Sequence, residues 1–299
     1  MSSNNNGRAL EYCIAKTIED SIPCLEITFN TEYENLQSRD KEHFENLNME
    51  LQEDFKKAAT AIAKWLIEES GIQNTDKVQV SRFRDSTGVD GDVTDIRVSI
   101  NTKPFNLSIK HNHTAAKHQR PRPTPTQLGL QPSDPIVKKF SFNCNAIDKK
   151  FHLSADNIAP GSTTFKELKE IDPQFINACL YEPYCWEVSN LLNHCGRDSA
   201  IASKYFRFLL GSIVNFYKLN VKTRVANKHV SVQHFNNIEE PESFTADFKS
   251  DSYVIVLFSN GWVFHMRLHT ANSRLSEKPS LKFDTQIERP NLPELKLPL

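Results

Sequence analysis

Apolar residues recur every three or four positions in two stretches of the amino-terminal third. Residues 7–18 carry the first set: Leu10, Ile14 and Ile18. The second set is longer: Phe44, Leu47, Leu51, Phe55, Ala58, Ile62 and Trp65. This spacing places each set on one face of an α-helix. We therefore predict an amphipathic helix over 7–18 and a longer one over 42–70, which Ser70-Gly71 ends.

Two stretches of alternating apolar and polar residues predict a β-hairpin between residues 95 and 110. Four residues that are typical of turns, Asn101–Pro104, separate them. A symmetric loop would pair the apolar residues as Ile96 with Ile109, Val98 with Leu107, and Ile100 with Phe105. The polar pairs on the other face would be Asp95 with Lys110, Arg97 with Ser108, and Ser99 with Asn106. A slip by one residue would mix the two faces, so this pattern favours one pairing.

The remaining chain predicts a short strand at Lys77–Val80, a connection at Arg120–Thr126 and a helical block from about Thr164 to Leu219. A second hairpin follows, because alternating residues flank Asn260-Gly261, a strong hairpin turn signal. We expect two parts, a core over 1–160 and a helical and hairpin region over 161–299, packed as one unit.

Composition indicates a globular protein without a membrane anchor. Hydrophobic residues make up 38% of the 299 residues, and no stretch approaches the roughly 18 apolar residues of a membrane helix. The amino terminus lacks the apolar core of a secretory signal, so we expect a cytoplasmic location. Six dispersed cysteines are typical of reduced, buried thiols. A zinc site at Cys179, Cys185, Cys195 and His194 is an alternative, although the spacing fits no standard motif.

The net charge of −1 hides an uneven distribution of charge. Residues 31–54 hold eight acidic and two basic side chains, whereas residues 101–150 hold nine basic and two acidic ones. A basic middle segment suits a protein that presents one side to phosphate groups. The alternative is an ordinary solvated surface.

Asp95 and Lys110 are the candidate reactive pair. Hydrolysis of a phosphodiester needs a divalent cation, which a carboxylate at the start of a strand can bind. A lysine on the neighbouring strand can orient water and shield phosphate charge. The alternative is a plain cross-strand ion pair, which would contribute about 0–1 kcal/mol if exposed.

The residues after Lys110 are rich in donors that could reach phosphate and base edges. At this point the chain resembles the PD-(D/E)XK restriction endonucleases, and most closely the HaeIII-type enzymes. The resembling segments are ordered along nearly the whole chain: Gly7–Glu11, Gly91–Ile96, Leu107–His113, Lys117–Arg120, Asn260–Trp262, Arg267–Ala271 and Ser280–Asp284. The adjacent residues His111-Asn112-His113 do not match the HNH nucleases, in which the named residues are tens of positions apart.

The resemblance implies roles for residues of the first hairpin. Asp95 would hold the metal ion, Lys110 would be the catalytic lysine, and Ile109 would offer its backbone carbonyl to the metal. Ser108 stands where the (D/E)-x-K pattern has an acid, which is a departure from the family. Glu11 on the first helix, or Asp92, could supply the missing carboxylate. Asp92 is also the alternative to Asp95 as the residue that holds the metal ion.

The donor-rich segment and the second hairpin supply candidates for contacts with DNA. Candidates after the hairpin are His111, Asn112, His113, Lys117, His118 and Arg120. Candidates on one face of the second hairpin are His265, Arg267 and His269, since a two-stranded ribbon fits the major groove. A merely polar outer sheet face is the alternative for the second group.

The expected fold is α/β, a PD-(D/E)XK core with a mixed sheet flanked by helices, plus helical and hairpin additions. The implied activity is a Mg²⁺-dependent type II restriction endonuclease that cuts double-stranded DNA at a short palindrome, with GGCC as a candidate, and leaves 5′-phosphate ends. The implied partners are a second copy of the chain and a cognate DNA methyltransferase in the same system. Two alternatives stay open: an inactive DNA-binding or regulatory protein on the same fold, and a helical interaction protein.

Overall fold

A computed structural model describes residues 3–83, 92–112, 117–211, 215–249, 252–288 and 292–299. The chain divides into two compact units. The first comprises residues 1–114, 211–238 and 291–299, and the second comprises 115–210 and 239–290. The chain therefore passes between units several times, whereas the sequence predicted one division at residue 160. The second unit thus consists of two insertions in the chain of the first, residues 115–210 and residues 239–290.

The first unit is a mixed seven-stranded sheet with helices. Its helices are α1 (Ser3–Ser21), α2 (Tyr33–Glu45) and α3 (Met49–Ser70). Its strands are β1 (Glu26–Phe29), β2 (Lys77–Arg82), β3 (Ile96–Ile100), β4 (Lys103–His111), β6 (Phe216–Lys222), β7 (His229–Phe235) and β12 (Glu294–Pro298). They are ordered β1-β2-β3-β4-β6-β7-β12. This confirms the expected mixed α/β architecture.

One face of this sheet carries the core of the first unit. Apolar residues of α1 and α3 pack with alternate residues of the central strands. The helix predicted over 7–18 is confirmed within α1. The helix predicted over 42–70 is confirmed only from Met49 onwards, because Asn48 caps α3 and Phe44 lies in α2. Helix α3 ends at Gly71, whose φ of +65° suits glycine. Phe55, Ile62 and Leu66 of α3 are fully buried here. The amphipathic face that motivated a helical interaction protein is therefore used inside the unit.

The second unit combines helices with a five-stranded antiparallel sheet, ordered β5-β11-β10-β9-β8. Its strands are β5 (Lys117–Gln119), β8 (Phe244–Lys249), β9 (Tyr253–Phe258), β10 (Val263–Thr270) and β11 (Leu281–Glu288). Its helices are α4 (Thr124–Leu128), α5 (Pro135–Ile158), α6 (Phe165–Ile171), α7 (Glu182–Cys195) and α8 (Ser199–Leu210), with a π-helical turn at Asn177–Tyr181 before α7.

The second predicted hairpin is confirmed as β9 and β10, which meet at Asn260-Gly261. Alternate residues of this hairpin are buried, as predicted: Trp262, Phe264, Met266 and Leu268. No helix in the described part of the chain has the length and apolar character needed to cross a membrane.

Two local predictions are wrong. The helical block was expected to reach Leu219, but α8 ends at Leu210 and Phe216–Lys222 is strand β6. Gly211 has φ +120°, which breaks the helix, and Tyr217, Leu219 and Val221 then alternate into the core. The connection at Arg120–Thr126 was expected to lack regular structure, yet α4 begins within it. Proline is compatible with the first turn of a helix.

Candidate active site

The first hairpin is formed by β3 and β4, but its register differs from the predicted one by two residues. Ile96 faces Leu107 and Val98 faces Phe105, so the loop contains only Asn101 and Thr102. A shift by two residues keeps every side chain on its predicted face, because side chains alternate with a period of two. Asn101 adopts a positive φ of 49°, and its side chain accepts a hydrogen bond from the Lys77 amide at 3.0 Å.

Asp95 and Lys110 meet in spite of this shift. The Lys110 Nζ lies 3.3 Å from Asp95 Oδ2, and the backbone amide of Ile109 donates to the same oxygen at 2.6 Å. The side chain of Lys110 is 23% exposed and that of Asp95 is 25% exposed, so solvent reaches both. The expected proximity of carboxylate and ammonium is therefore present, on the sheet face opposite the apolar core.

Glu11 interacts electrostatically with both Asp95 and Lys110, and a buried arginine binds its carboxylate. Arg82 at the end of β2 donates through Nη2 to Glu11 Oε2 at 2.9 Å and to Asp40 Oδ2 at 2.8 Å, and through Nη1 to Gln37 at 2.7 Å. Arg82 is only 1% exposed. Sequence reasoning missed Arg82, Asp40 and Gln37, since no local pattern relates three such distant positions.

The pKa of Glu11 reflects this crowded setting. Burial, and secondarily the negative charge of Asp95, raise it from 4.5 to about 8, while Arg82 and Lys110 act in the opposite direction. A cation bound beside Glu11 would favour its ionised form, and so would act against both burial and the charge of Asp95.

Replacement of Glu11 by glutamine should change how stability depends on pH. The pKa of Glu11 is higher in the folded than in the unfolded chain, so the folded state binds the proton more tightly. Its contribution to stability is therefore lost as pH rises from about 4.5 to about 8. In urea unfolding, the free energy of unfolding of Glu11→Gln should be equal to or lower than that of the wild type at pH 5. At pH 9 it should be higher than that of the wild type. Glu68→Gln on exposed α3 surface is the control, and a Glu11→Gln protein less stable at pH 9 would contradict the prediction.

Ser108, in the position of the missing acid, is buried and lies next to a lysine. Strand β6 runs parallel to β4 and places Lys218 beside Ser108, and Asn220 beside Lys110. Burial, then the charges of Lys110 and Lys222, lower the pKa of Lys218 to about 8. Sequence reasoning missed both β6 residues, because it extended the helical block to Leu219 and predicted no strand there.

Asp92, the other candidate acid, is turned towards Arg97. Its Oδ1 accepts a hydrogen bond from the Thr94 amide at 2.9 Å, and its Oδ2 lies 3.6 Å from Arg97 Nη2. Among the described residues, Asp95 thus pairs with Lys110, and Asp92 pairs with Arg97.

His111 and Asn112 follow Lys110 but face other parts of the first unit. His111 packs edge-on against Phe55 at 4.8 Å and lies 3.0 Å from Thr223 Oγ1. Burial, together with the charge of Arg224, lowers the pKa of His111 to about 4, so it is neutral at physiological pH. Asn112 accepts a hydrogen bond from the Thr223 amide. His113 lies outside the described residues, as does the side chain of Lys117.

The other candidate DNA-binding residues lie in the second unit, on one face of its sheet. Asp284 of β11 binds two of them: His118 Nδ1 lies 2.5 Å from its Oδ1, and His269 Nε2 lies 2.9 Å from its Oδ2. His265 lies 2.7 Å from Glu288. Arg267 shares this face, and Arg120 donates to Ser280 at 2.8 Å. Acidic partners thus accompany the histidines, which sequence reasoning did not anticipate.

Within the described residues, no three His, Cys, Asp or Glu side chains form a metal-binding cluster. The zinc alternative at Cys179, Cys185, Cys195 and His194 is therefore not supported, and Cys185 and Cys195 are buried. Burial raises the pKa of these two thiols.

Comparison with known proteins assigns the sequence of this chain to a family. The HaeIII restriction endonuclease family matches residues 7–240, which include α1, the first hairpin and β6. The type II restriction enzyme HaeIII from Haemophilus aegyptius is 25% identical over 334 aligned residues, which cover 95% of this chain and 94% of that protein. No solved structure matches. This chain belongs to the HaeIII restriction endonuclease family.

Proposed function

We propose that this protein is a Mg²⁺-dependent type II restriction endonuclease that hydrolyses double-stranded DNA at a short palindromic site. Membership of the family supports nuclease activity on DNA. The observation that carries the proposal is the contact of Lys110 Nζ with Asp95 Oδ2 at 3.3 Å, beside the carboxylate of Glu11. The order α1, β2, β3, β4 and then parallel β6 supports a PD-(D/E)XK core.

The donor set fits Mg²⁺. This ion keeps several waters and takes one or two carboxylates plus substrate phosphate, rather than a full protein cage. Asp95 and Glu11 would hold it, with the Ile109 carbonyl as a further ligand. Burial, and secondarily the negative charge of Asp95, raise the pKa of Glu11, and such a cation would offset both effects. When bound, Mg²⁺ neutralises developing phosphate charge and lowers the pKa of water.

Each residue then has a defined part in the reaction. The Lys110 ammonium donates a hydrogen bond to a water molecule and shields the phosphate, while Asp95 fixes the position of Lys110. The water oxygen attacks phosphorus in line. The bond from phosphorus to the 3′ oxygen breaks, and the 3′ oxygen keeps the electron pair. A proton of the water passes to solvent, and the 3′ oxygen takes one from solvent. The products are a 3′-hydroxyl and a 5′-phosphate.

Cutting both strands of a palindrome is most simply done by a two-fold homodimer, which we propose as the active assembly. The cell would need a methyltransferase that modifies the same site, as a functional partner. GGCC is the candidate target. His118, Arg120 and Arg267 are exposed and are candidates for contacts with DNA, whereas the neutral His111 adds no positive charge.

The test is incubation of the purified protein with supercoiled plasmid in Mg²⁺ or in EDTA. We expect discrete fragments in Mg²⁺ alone, and sequencing of their ends gives the target, the offset and the terminal phosphate. Binding measured without Mg²⁺ should weaken steeply as salt rises, because bound cationic side chains release counterions.

The second candidate function is a DNA-binding or regulatory protein without activity, which Ser108 in the acidic position favours. It predicts retarded but intact plasmid in the same experiment. Protein that neither cuts nor binds DNA would contradict both functions.

A further inference from the structure

The loop between β6 and β7, residues 223–228, lies at the end of the sheet that carries the candidate active site. Strand β4 ends at His111, directly after Lys110, and β6 runs parallel to β4 and ends beside it. Strand β3 runs antiparallel to β4 and begins directly after Asp95. The β6–β7 loop therefore leaves the sheet on the same side as Asp95 and Lys110.

Asn112 holds the beginning of this loop with its side chain. Its Oδ1 accepts hydrogen bonds from the backbone amides of Thr223 at 2.9 Å and of Arg224 at 3.2 Å. Its Nδ2 donates to Thr223 Oγ1 at 2.9 Å. Its own amide donates to the Val221 carbonyl at 3.0 Å, so the two strand ends are also joined through their backbones. The backbone at Arg224 is thus fixed relative to β4.

Basic side chains lie at both ends of the loop and within it. Lys222 precedes the loop and lies 3.8 Å from Glu294, whereas Lys228 ends the loop and lies 2.7 Å from Asp54. Arg224 is exposed, and its guanidinium makes no hydrogen bond or ion pair with the part of the chain that the structure describes. A guanidinium presents several N–H donors in a planar fork that matches the oxygens of a phosphate group.

The position of Arg224 suits a phosphate near the one that is cut. Asn220 is the register partner of Lys110, and Arg224 follows Asn220 by four residues. At about 3.3 Å per extended residue, the backbone of Arg224 is at most about 13 Å from that of Asn220. A DNA strand carries one phosphate per about 3.4 Å of helix axis, so this span corresponds to about four nucleotides.

We propose that Arg224 binds a backbone phosphate of DNA close to the cleaved bond, and that Asn112 is the positioning residue that fixes Arg224 for this contact. The inference rests on the proposed nuclease function and identifies a part of the surface that binds its substrate. Because phosphates are the same in every sequence, this contact contributes affinity without selecting a target.

The first test is Arg224→Gln, measured by fluorescence anisotropy in EDTA on duplexes with and without GGCC. Affinity should fall about tenfold on both duplexes, because a charge-assisted contact is lost that does not depend on sequence. The slope of log affinity against log salt should become shallower by about 0.9, because one phosphate fewer is neutralised. Lys103→Gln is the matched control. It removes an exposed positive charge from the opposite end of β4 and should keep the affinity and slope of the wild type.

The second test is Asn112→Gly, which examines the positioning role. Asn112 has a φ of +50°, which glycine adopts readily, so this variant loses the side-chain hydrogen bonds without backbone strain. DNA affinity should fall although the net charge is unchanged. The double variant with Arg224→Gln should bind no more weakly than Arg224→Gln alone, because Asn112 acts through Arg224. A merely structural role would lower the affinity of the double variant further and would overturn the role of Asn112.

The outcomes separate this inference from the function on which it rests. A wild type that neither binds nor cuts DNA overturns both. A wild type that binds DNA without cutting it overturns the nuclease function, and the salt dependence of Arg224→Gln still decides the phosphate contact. An Arg224→Gln protein with the affinity and salt slope of the wild type overturns the contact alone, as does an equal loss in Lys103→Gln. A loss confined to the GGCC duplex would assign Arg224 to a base instead, and also overturns it.

Discussion

Replacement of Lys110 by methionine, or of Asp95 by asparagine, should reduce cleavage of plasmid DNA by about 10²- to 10³-fold, the effect of removing one group that stabilises charge in a transition state. Methionine keeps most of the side-chain length but removes the ammonium. Asparagine keeps the shape of Asp95 but removes the charge that would hold the metal ion. Single-turnover cleavage in Mg²⁺ measures the effect, and fluorescence anisotropy without Mg²⁺ should find DNA binding largely retained.

Lys103→Met is the matched control for the lysine. Lys103 is exposed at the start of the same strand, where its ammonium lies 5.1 Å from the Phe105 ring. It should cleave at the wild-type rate. Asp92→Asn controls the aspartate, because Asp92 faces Arg97 instead of Lys110. An Asp95→Asn protein that cuts normally, with an inactive Asp92→Asn protein, would move the anchor to Asp92.

Replacement of Arg82 by methionine should destabilise the protein by about 3–5 kcal/mol, as for other broken buried ion pairs. Arg82 is 1% exposed and donates to the carboxylates of Glu11 and Asp40. Asp40 is fully buried. Removal of the Arg82 guanidinium leaves the carboxylates of Asp40 and Glu11 without their cationic partner. Urea unfolding at pH 7 measures the loss.

Lys16→Met on α1 is the control for Arg82. Lys16 pairs with Glu19 and Asp20 on an exposed surface, so its loss should cost less than about 1 kcal/mol. Equal destabilisation by the two changes would mean that the buried network contributes no more than a surface ion pair. Arg82→Lys should be intermediate, because one ammonium cannot reproduce the fork of a guanidinium.

The first hairpin illustrates what an alternating pattern can predict. Alternation assigned every residue to its face, and both faces are as predicted. It could not choose between registers that differ by two residues, because such registers place the same residues on the same faces. In the observed register Asn101 of the loop exchanges hydrogen bonds with Lys77 of strand β2, a contact that alternation does not predict.

Strand β6 illustrates a different failure. Ile213 and Phe216 continue the helical spacing of α8, so periodicity alone extended the helix to Leu219. The strand pairs with β4, which is more than one hundred residues earlier in the chain. A pairing at that distance leaves no local pattern, so Lys218 and Asn220 could not be placed beside Ser108 and Lys110.

By itself, the sequence determined the amphipathic helices, the two hairpins, the family and the pair formed by Asp95 and Lys110, because these depend on short-range periodicity or on motifs that local residues carry. Only the tertiary structure decided the hairpin register, the buried contact of Arg82 with Glu11, and the position of Asn220 beside Lys110. Each of these is a contact between elements distant along the chain, and its free energy comes from burial and pairing that exist only once the sheet has formed.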